Sequence, residues 1–156
     1  MLKDIPINSR IFIDFNIFIY HFLNVSESCT NFTKRDRGLH IQIVLAETLH
    51  RLMIAELIEK YDIKPNKAVQ YLKEKPEVVP TLEKCETAVK KIPRFNVKIL
   101  SVPIDAIFQS KELRKKYYLL TNDSLNLHVM KSNKTSDIAT NDRDFERVGF
   151  IKVWRP

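Results

Sequence analysis

Short runs of β-branched and aromatic residues alternate with helical periodicity along this chain, and that alternation constrains its fold most. Residues 10–15, RIFIDF, read as a short buried strand, and residues 16–23 begin a helix. Residues 24–38 are polar, include KRDRG, and are expected to form a loop. The longest helical pattern covers residues 39–61. Pro65 suits the start of a helix over 66–73, and 77–91 suits another. NVKILSV, residues 96–102, reads as a strand, and Pro103 then opens a helix over 104–116. A helix over 123–131, a strand over 137–140, a helical turn over 143–148 and a strand over 150–154 complete the pattern. Strands alternating with helices predict an α/β fold, a parallel β-sheet sandwiched between helices. In such sheets functional groups gather beyond the carboxyl ends of the strands.

With 156 residues the expectation is a single domain, 1–156, able to bury a core without staples. The 26 Lys and Arg outnumber 19 Asp and Glu, and the formal charge of +7 favours polyanions, nucleic acid first. Glycine occurs only at Gly38 and Gly149, which nearly excludes the phosphate-cradling loops of nucleotide-binding motifs. Cys29 and Cys85 form neither a disulfide framework nor a zinc pattern, so a reducing cytoplasm is expected. The N-terminus, MLKDIPINSR, is too polar for a signal peptide. No apolar run approaches the roughly 18 residues of a membrane span.

The tripeptide Thr-Asn-Asp occurs twice, ending at Asp123 and Asp142. One copy opens a helix and the other closes a strand, so the echo reads as convergence on one task. For either aspartate taken alone, helix or turn capping is the favoured reading, and Asp144 competes for the second cap. Asp14 lies inside IFIDFNIFI, where an unpaired carboxylate costs several kcal/mol, so it needs a partner. Arg10 or a bound cation would serve. Glu47 shares a helical face with Ile43, Ile54 and Ile58, and Arg51 one turn on is its bland ion-pair partner. Glu56 lies similarly among Leu45, Leu49 and Leu52, nearer the helix end, where it is expected to reach water. Acids converging at strand ends suit magnesium or manganese, which take oxygen ligands and bind substrate phosphate. Such ions support phosphodiester hydrolysis.

IFIDFNIFIY, VLAETLHRL, YLLTNDSLNLHVM and DIATNDRDFERV, in that order, resemble the PIN domain, with the closest likeness to VapC-type ribonucleases of toxin–antitoxin pairs. The resemblance runs from residue 11 to 156, although 61–94 carries only generic helices. It implies an acid cluster of Asp14, Glu47, Asp123 and Asp142 that binds Mg2+ or Mn2+ and hydrolyses RNA. It selects Glu47 over Glu56, which periodicity leaves open. It also implies supporting roles for Asn16, Thr140 and Asp144. Phe15, Val129 and Met130 depart from the small residues common in the family, which bears on packing.

Lys34, Arg35 and Arg37, with Lys131, Lys134 and Arg143, are candidate RNA-backbone contacts, and solvated surface charge is the bland reading of each. His21, His40, His50 and His128 lack a catalytic pairing and read as structural. The expected partners are RNA, an antitoxin protein and a second copy of the chain, with apolar patches on 16–23 or 66–91 for the dimer. A stand-alone RNA-processing nuclease and a non-catalytic RNA-binding module are the competing readings. An aspartyl phosphatase would want an acid where Asn16 stands, and a phospho-receiver would want an early acidic cluster.

Overall fold

A computed structural model of the chain describes residues 1–6, 9–34 and 38–156 fully, and Arg35 by its backbone. The strands are β1 Ile11–Ile13, β2 Gly38–Ile41, β3 Val97–Leu100, β4 Asp137–Ala139 and β5 Lys152–Trp154. They form one parallel sheet in the order β3-β2-β1-β4-β5. The helices are α1 Phe15–Phe22, α2 Glu27–Arg35, α3 Gln42–Tyr61, α4 Ala68–Glu74, α5 Glu83–Val89, α6 Ile104–Gln109, α7 Lys111–Tyr117 and α8 Thr121–Ser132. The contacts fall into two groups: α1 packs on α2 and α3, and α3 on α4 and α5, whereas α6 and α7 pack on α8. Right-handed crossovers, with the strand order reversing at β1, place the two groups on opposite faces of the sheet. No helix among the described residues is long and apolar enough to cross a membrane.

The central strand explains itself. Ile11, Phe12 and Ile13 are all fully buried, so β1 lacks polar alternation because both faces are covered. Its register with β4 sets Ile11 opposite Asp137 and Ile13 opposite Ala139. The Asp14 N–H continues that ladder by donating to the Ala139 carbonyl at 3.1 Å. On the other side, a Cβ added to Gly38 would stand 2.1 Å from Ile13 Cδ1, so glycine is what lets the Ile13 side chain cross β2.

Two expectations fail. The polar stretch 24–38 contains a helix, α2, anchored by buried Cys29, Phe32 and Thr33 on one face. The helix expected over 39–61 begins only at Gln42, because Gly38–Ile41 is an all-buried strand between β1 and β3. Smaller differences follow from proline and serine. Residues 76–81 wind as a 3-10 turn containing Pro80 before α5. The expected 104–116 helix breaks at buried Ser110, whose hydroxyl donates to the Ile107 carbonyl at 3.0 Å.

Glu56 does not reach water. It is buried, and its two oxygens accept the Lys84 N–H at 3.1 Å and the Cys85 N–H at 2.8 Å. It thus caps the first turn of α5 from the last third of α3. The apolar patch sought on 16–23 is largely spent in the core, with Ile17 and Phe18 fully buried. The most exposed apolar side chains lie elsewhere: Ile104 and Phe108 on α6, and Tyr118 and Leu120 before α8.

Candidate active site

Asp14 ends the central strand and begins α1, which puts its carboxyl at the carboxyl edge of the sheet. It is 1% exposed. Oδ1 accepts the Phe15 N–H at 2.8 Å, so Asp14 is the N-cap of α1. Oδ2 accepts the Asn16 amide and the Thr140 hydroxyl, each at 2.6 Å. Arg10 is not the partner of this carboxyl; within the protein it is held by three neutral donors. Burial is the main influence and pushes its pKa up to about 7; the Thr140 and Phe15 hydrogen bonds oppose it, while the charges of Asp123 and Glu47 add to it.

Asn16 and Thr140 are saturated by this arrangement. Thr140 Oγ1 accepts from the Asn16 amide and from the Asp142 N–H, each at 3.0 Å, while donating to Asp14. Asn16 Oδ1 accepts the Asn141 N–H at 3.0 Å. The end of β4 is therefore tied to the end of β1 through side chains as well as through the ladder.

Asp123, Asp142 and Asp144 form a second group, with one carboxylate oxygen from each within 4.8 Å of the others. Asp123 is not a cap: α8 starts at Thr121 without a side-chain cap, and Asp123 lies in its first turn. Asp142 does both jobs, because its Oδ1 accepts the Asp144 N–H at 2.8 Å. Asp144 also pairs with Arg147, whose guanidinium donates to the Tyr118 carbonyl at 2.8 Å. Burial and then the charges of Asp142, Asp144 and Glu47 push the Asp123 pKa up to about 6, with Arg147 opposing.

Glu47 lies half-buried in the second turn of α3, and its Oε2 accepts the Asn122 amide at 3.2 Å. Arg51 does not pair with it; its guanidinium lies over the Phe15 ring, 5.8 Å from the centroid. Thus four elements, β1, α3, α8 and the β4 end, bring Asp14, Glu47, Asp123, Asp142 and Asp144 to one edge. The donor set is all carboxylate oxygen, and like charges are crowded with Arg147 as the opposing cation at Asp123. That is the chemistry of a site for a hard divalent cation.

The expected RNA contacts fare differently. Arg143 stands between two of the clustered acids and is exposed. Lys131 lies at the far end of α8, roughly 12 Å along the axis from Asp123 at about 1.5 Å per residue. Lys134 precedes β4 and so lies at the opposite, amino edge of the sheet. Lys34 is also remote, near His21 at the far end of α1; burial lowers the His21 pKa first and the charges of Lys34 and Lys91 lower it further. Arg37 and the Arg35 side chain lie outside the described residues.

The PIN domain sequence pattern matches residues 11–151 of this chain. The chain belongs to the PIN-domain family. Ribonuclease VapC2 of Methanocaldococcus jannaschii is 31% identical to this PIN domain over 150 residues, spanning 93% of each chain. Among solved structures, Mycobacterium tuberculosis VapC20, a sarcin–ricin-loop-cleaving toxin, superposes with a TM-score of 0.63 at 17% identity, covering 94% of this chain and 99% of that one. VapBC2 from Rickettsia felis, bound to a DNA fragment from its promoter, gives 0.61 at 17% identity, with 94% and 98% covered. At that identity the two structures speak for the fold, and the parallel sheet flanked by helices is theirs as well.

Sequence reasoning missed the amide and ring groups that hold the acids. Asn122 and Asn141 are the middle residues of the two Thr-Asn-Asp copies: one binds Glu47, the other binds Asn16 through its N–H and the Tyr20 hydroxyl through its amide at 2.9 Å. The echo itself was the available signal.

Proposed function

We propose that this chain is a metal-dependent endoribonuclease and the toxin of a toxin–antitoxin pair. The observation that carries the reading is the meeting of Asp14, Glu47, Asp123 and Asp142 at one sheet edge, in a PIN domain similar along its length to a ribonuclease. These four acids would hold Mg2+ or Mn2+, with Asp144 beside Asp123 and Asp142 in the cluster. A divalent ion held there would supply the Lewis acidity that phosphodiester hydrolysis needs.

The chain's own residues do the rest. Thr140 and Asn16 fix the Asp14 carboxyl in one rotamer with their hydrogen bonds. Asn122 steers Glu47 toward Asp123. Arg147 holds Asp144 and neutralises part of the cluster. Residues 1–156 act as a single nuclease domain. Its substrate is RNA, its inhibitor is a small protein that covers the acid edge, and exposed Ile104, Ile107 and Phe108 supply apolar area for a homodimer. Buried free thiols at Cys29 and Cys85 suit the reducing cytoplasm.

The test is cleavage of a panel of purified RNAs with manganese, with magnesium and with chelator, using wild type, Asp123→Asn and Asp142→Asn. Metal-dependent cutting lost in both folded variants is the expected result. Cutting that survives both substitutions refutes the site, and salt-sensitive RNA binding without cutting would make the chain a binding module.

A further inference from the structure

A cavity of about 330 Å³ opens beside the acids, lined by Phe15, Asn16, Ile19, Tyr20, Arg51, Asn141 and Asp142. Asp142 belongs to the acid cluster, so whatever occupies this cavity lies against the reacting phosphate. Arg51 is the cation on its wall. Among the described residues Arg51 makes no ion pair, whereas Arg147 and Arg155 are committed to Asp144 and Glu146. Its guanidinium lies over the face of Phe15, which orders the planar fork and leaves its N–H edges for another acceptor. The Tyr20 hydroxyl accepts from the Asn141 amide at 2.9 Å, so its own proton remains available to donate. A hydroxyl donor and a guanidinium lying over an aromatic ring thus share a cavity with an acid of the cluster.

Given the ribonuclease reading above, we infer that Arg51 binds the RNA phosphate adjacent to the one cleaved, with the Tyr20 hydroxyl as a second donor. Arg51 is a positioning residue: it sets where the strand crosses the acids and takes no part in the chemistry. A guanidinium suits this because it offers paired N–H donors to phosphate oxygens. The lysines at the opposite edge of the sheet cannot perform this task.

The experiment compares wild type, Arg51→Gln, Arg51→Lys and Tyr20→Phe in manganese-dependent cleavage of a single-stranded RNA oligonucleotide across a salt series. The same oligonucleotide is titrated by fluorescence anisotropy in parallel. Arg51→Gln should raise KM about tenfold and leave kcat within about twofold, as loss of one charge-assisted contact implies. Its plot of log affinity against log salt should flatten by about 0.7, the slope of one phosphate contact to a single strand. Arg51→Lys should restore the slope and part of the KM, and Tyr20→Phe should raise KM without changing the slope. An unchanged KM and slope in Arg51→Gln overturns the proposal. If wild type binds RNA without cutting it, a flattened slope in Arg51→Gln still supports the Arg51 contact while the nuclease reading fails. If wild type neither binds nor cuts, both fall.

Discussion

Removing the charge of Asp14 should stabilise the metal-free protein while abolishing cleavage. Its carboxyl is buried at the end of the central strand, with a pKa of about 7 against an ordinary 3.8. Between those values the native state binds more protons than the unfolded chain, so stability falls as pH rises through that window and levels off above it. At pH 8 the gap of 7 − 3.8 = 3.2 units corresponds to a cost of ~4 kcal/mol at about 1.36 kcal/mol per unit. At pH 5 the cost is only ~2 kcal/mol by the same arithmetic. Asp14→Asn removes the charge but turns an amide donor toward donors, returning about 1 kcal/mol or more of that gain. The net expectation at pH 8 is ~1–3 kcal/mol of added stability, with a Tm higher by roughly 2–4 °C per kcal/mol for a chain of this size. Urea and thermal unfolding in chelator from pH 5 to 8.5 measure it directly. Wild type should lose stability across that range relative to the variant. Manganese should stabilise wild type more than Asp14→Asn, because a ligand of the native state shifts unfolding by mass action. A variant no more stable than wild type at pH 8 would refute the idea that this carboxylate is held against its own electrostatics.

Glu56→Ala leaves two N–H groups of the α5 first turn without their acceptors and should cost ~2–4 kcal/mol by denaturant unfolding. Burial favours the neutral acid, but the Cys85 and Lys84 N–H groups outweigh it and hold the Glu56 pKa below its usual value, so the wild-type advantage should persist above about pH 4.3 and vanish as pH falls through the folded value. Gly38→Ala should destabilise by ~1–3 kcal/mol and reduce cleavage, because its new methyl overlaps Ile13 next to Asp14; unaltered stability would show that the sheet relaxes freely. Burial raises the pKa of both thiols, Cys85 to about 11, so neither should react quickly with a maleimide at pH 7.5 until the protein is unfolded.

The parts of the site legible in the sequence were those with no bland alternative. An aspartate inside IFIDFNIFI had to be held by something, and it sits at the sheet edge where a parallel fold gathers its chemistry. Asp123 and Asp142 were each explicable as caps, and only the fold brings them within ion-sharing distance. The second strand was hidden because GLHI joins a helix whose apolar pattern continues past it; burial by two neighbouring strands, not local preference, sets its conformation. The second helix was hidden because Cys29, Phe32 and Thr33 are few among polar neighbours. Glu56 and Glu47 look alike by periodicity, yet one faces the start of α5 and the other the start of α8. Arg51 was legible only as an ion-pair partner for Glu47, since an exposed arginine becomes informative only when its cavity is known.

Thr140 joins the two halves of the site with a single oxygen: it gives its proton to Asp14 and takes protons from Asn16 and Asp142. Those partners hang from adjacent central strands, the last part of a sheet to open in native-state hydrogen exchange. Fraying at the chain ends or in the outer helices leaves this joint closed. The Asp14 and Asp142 side of the acid edge is therefore held by the sheet itself, independent of the helices that carry Glu47 and Asp123. For the nuclease proposed above, control then has to come from outside the sheet, through whatever covers that edge.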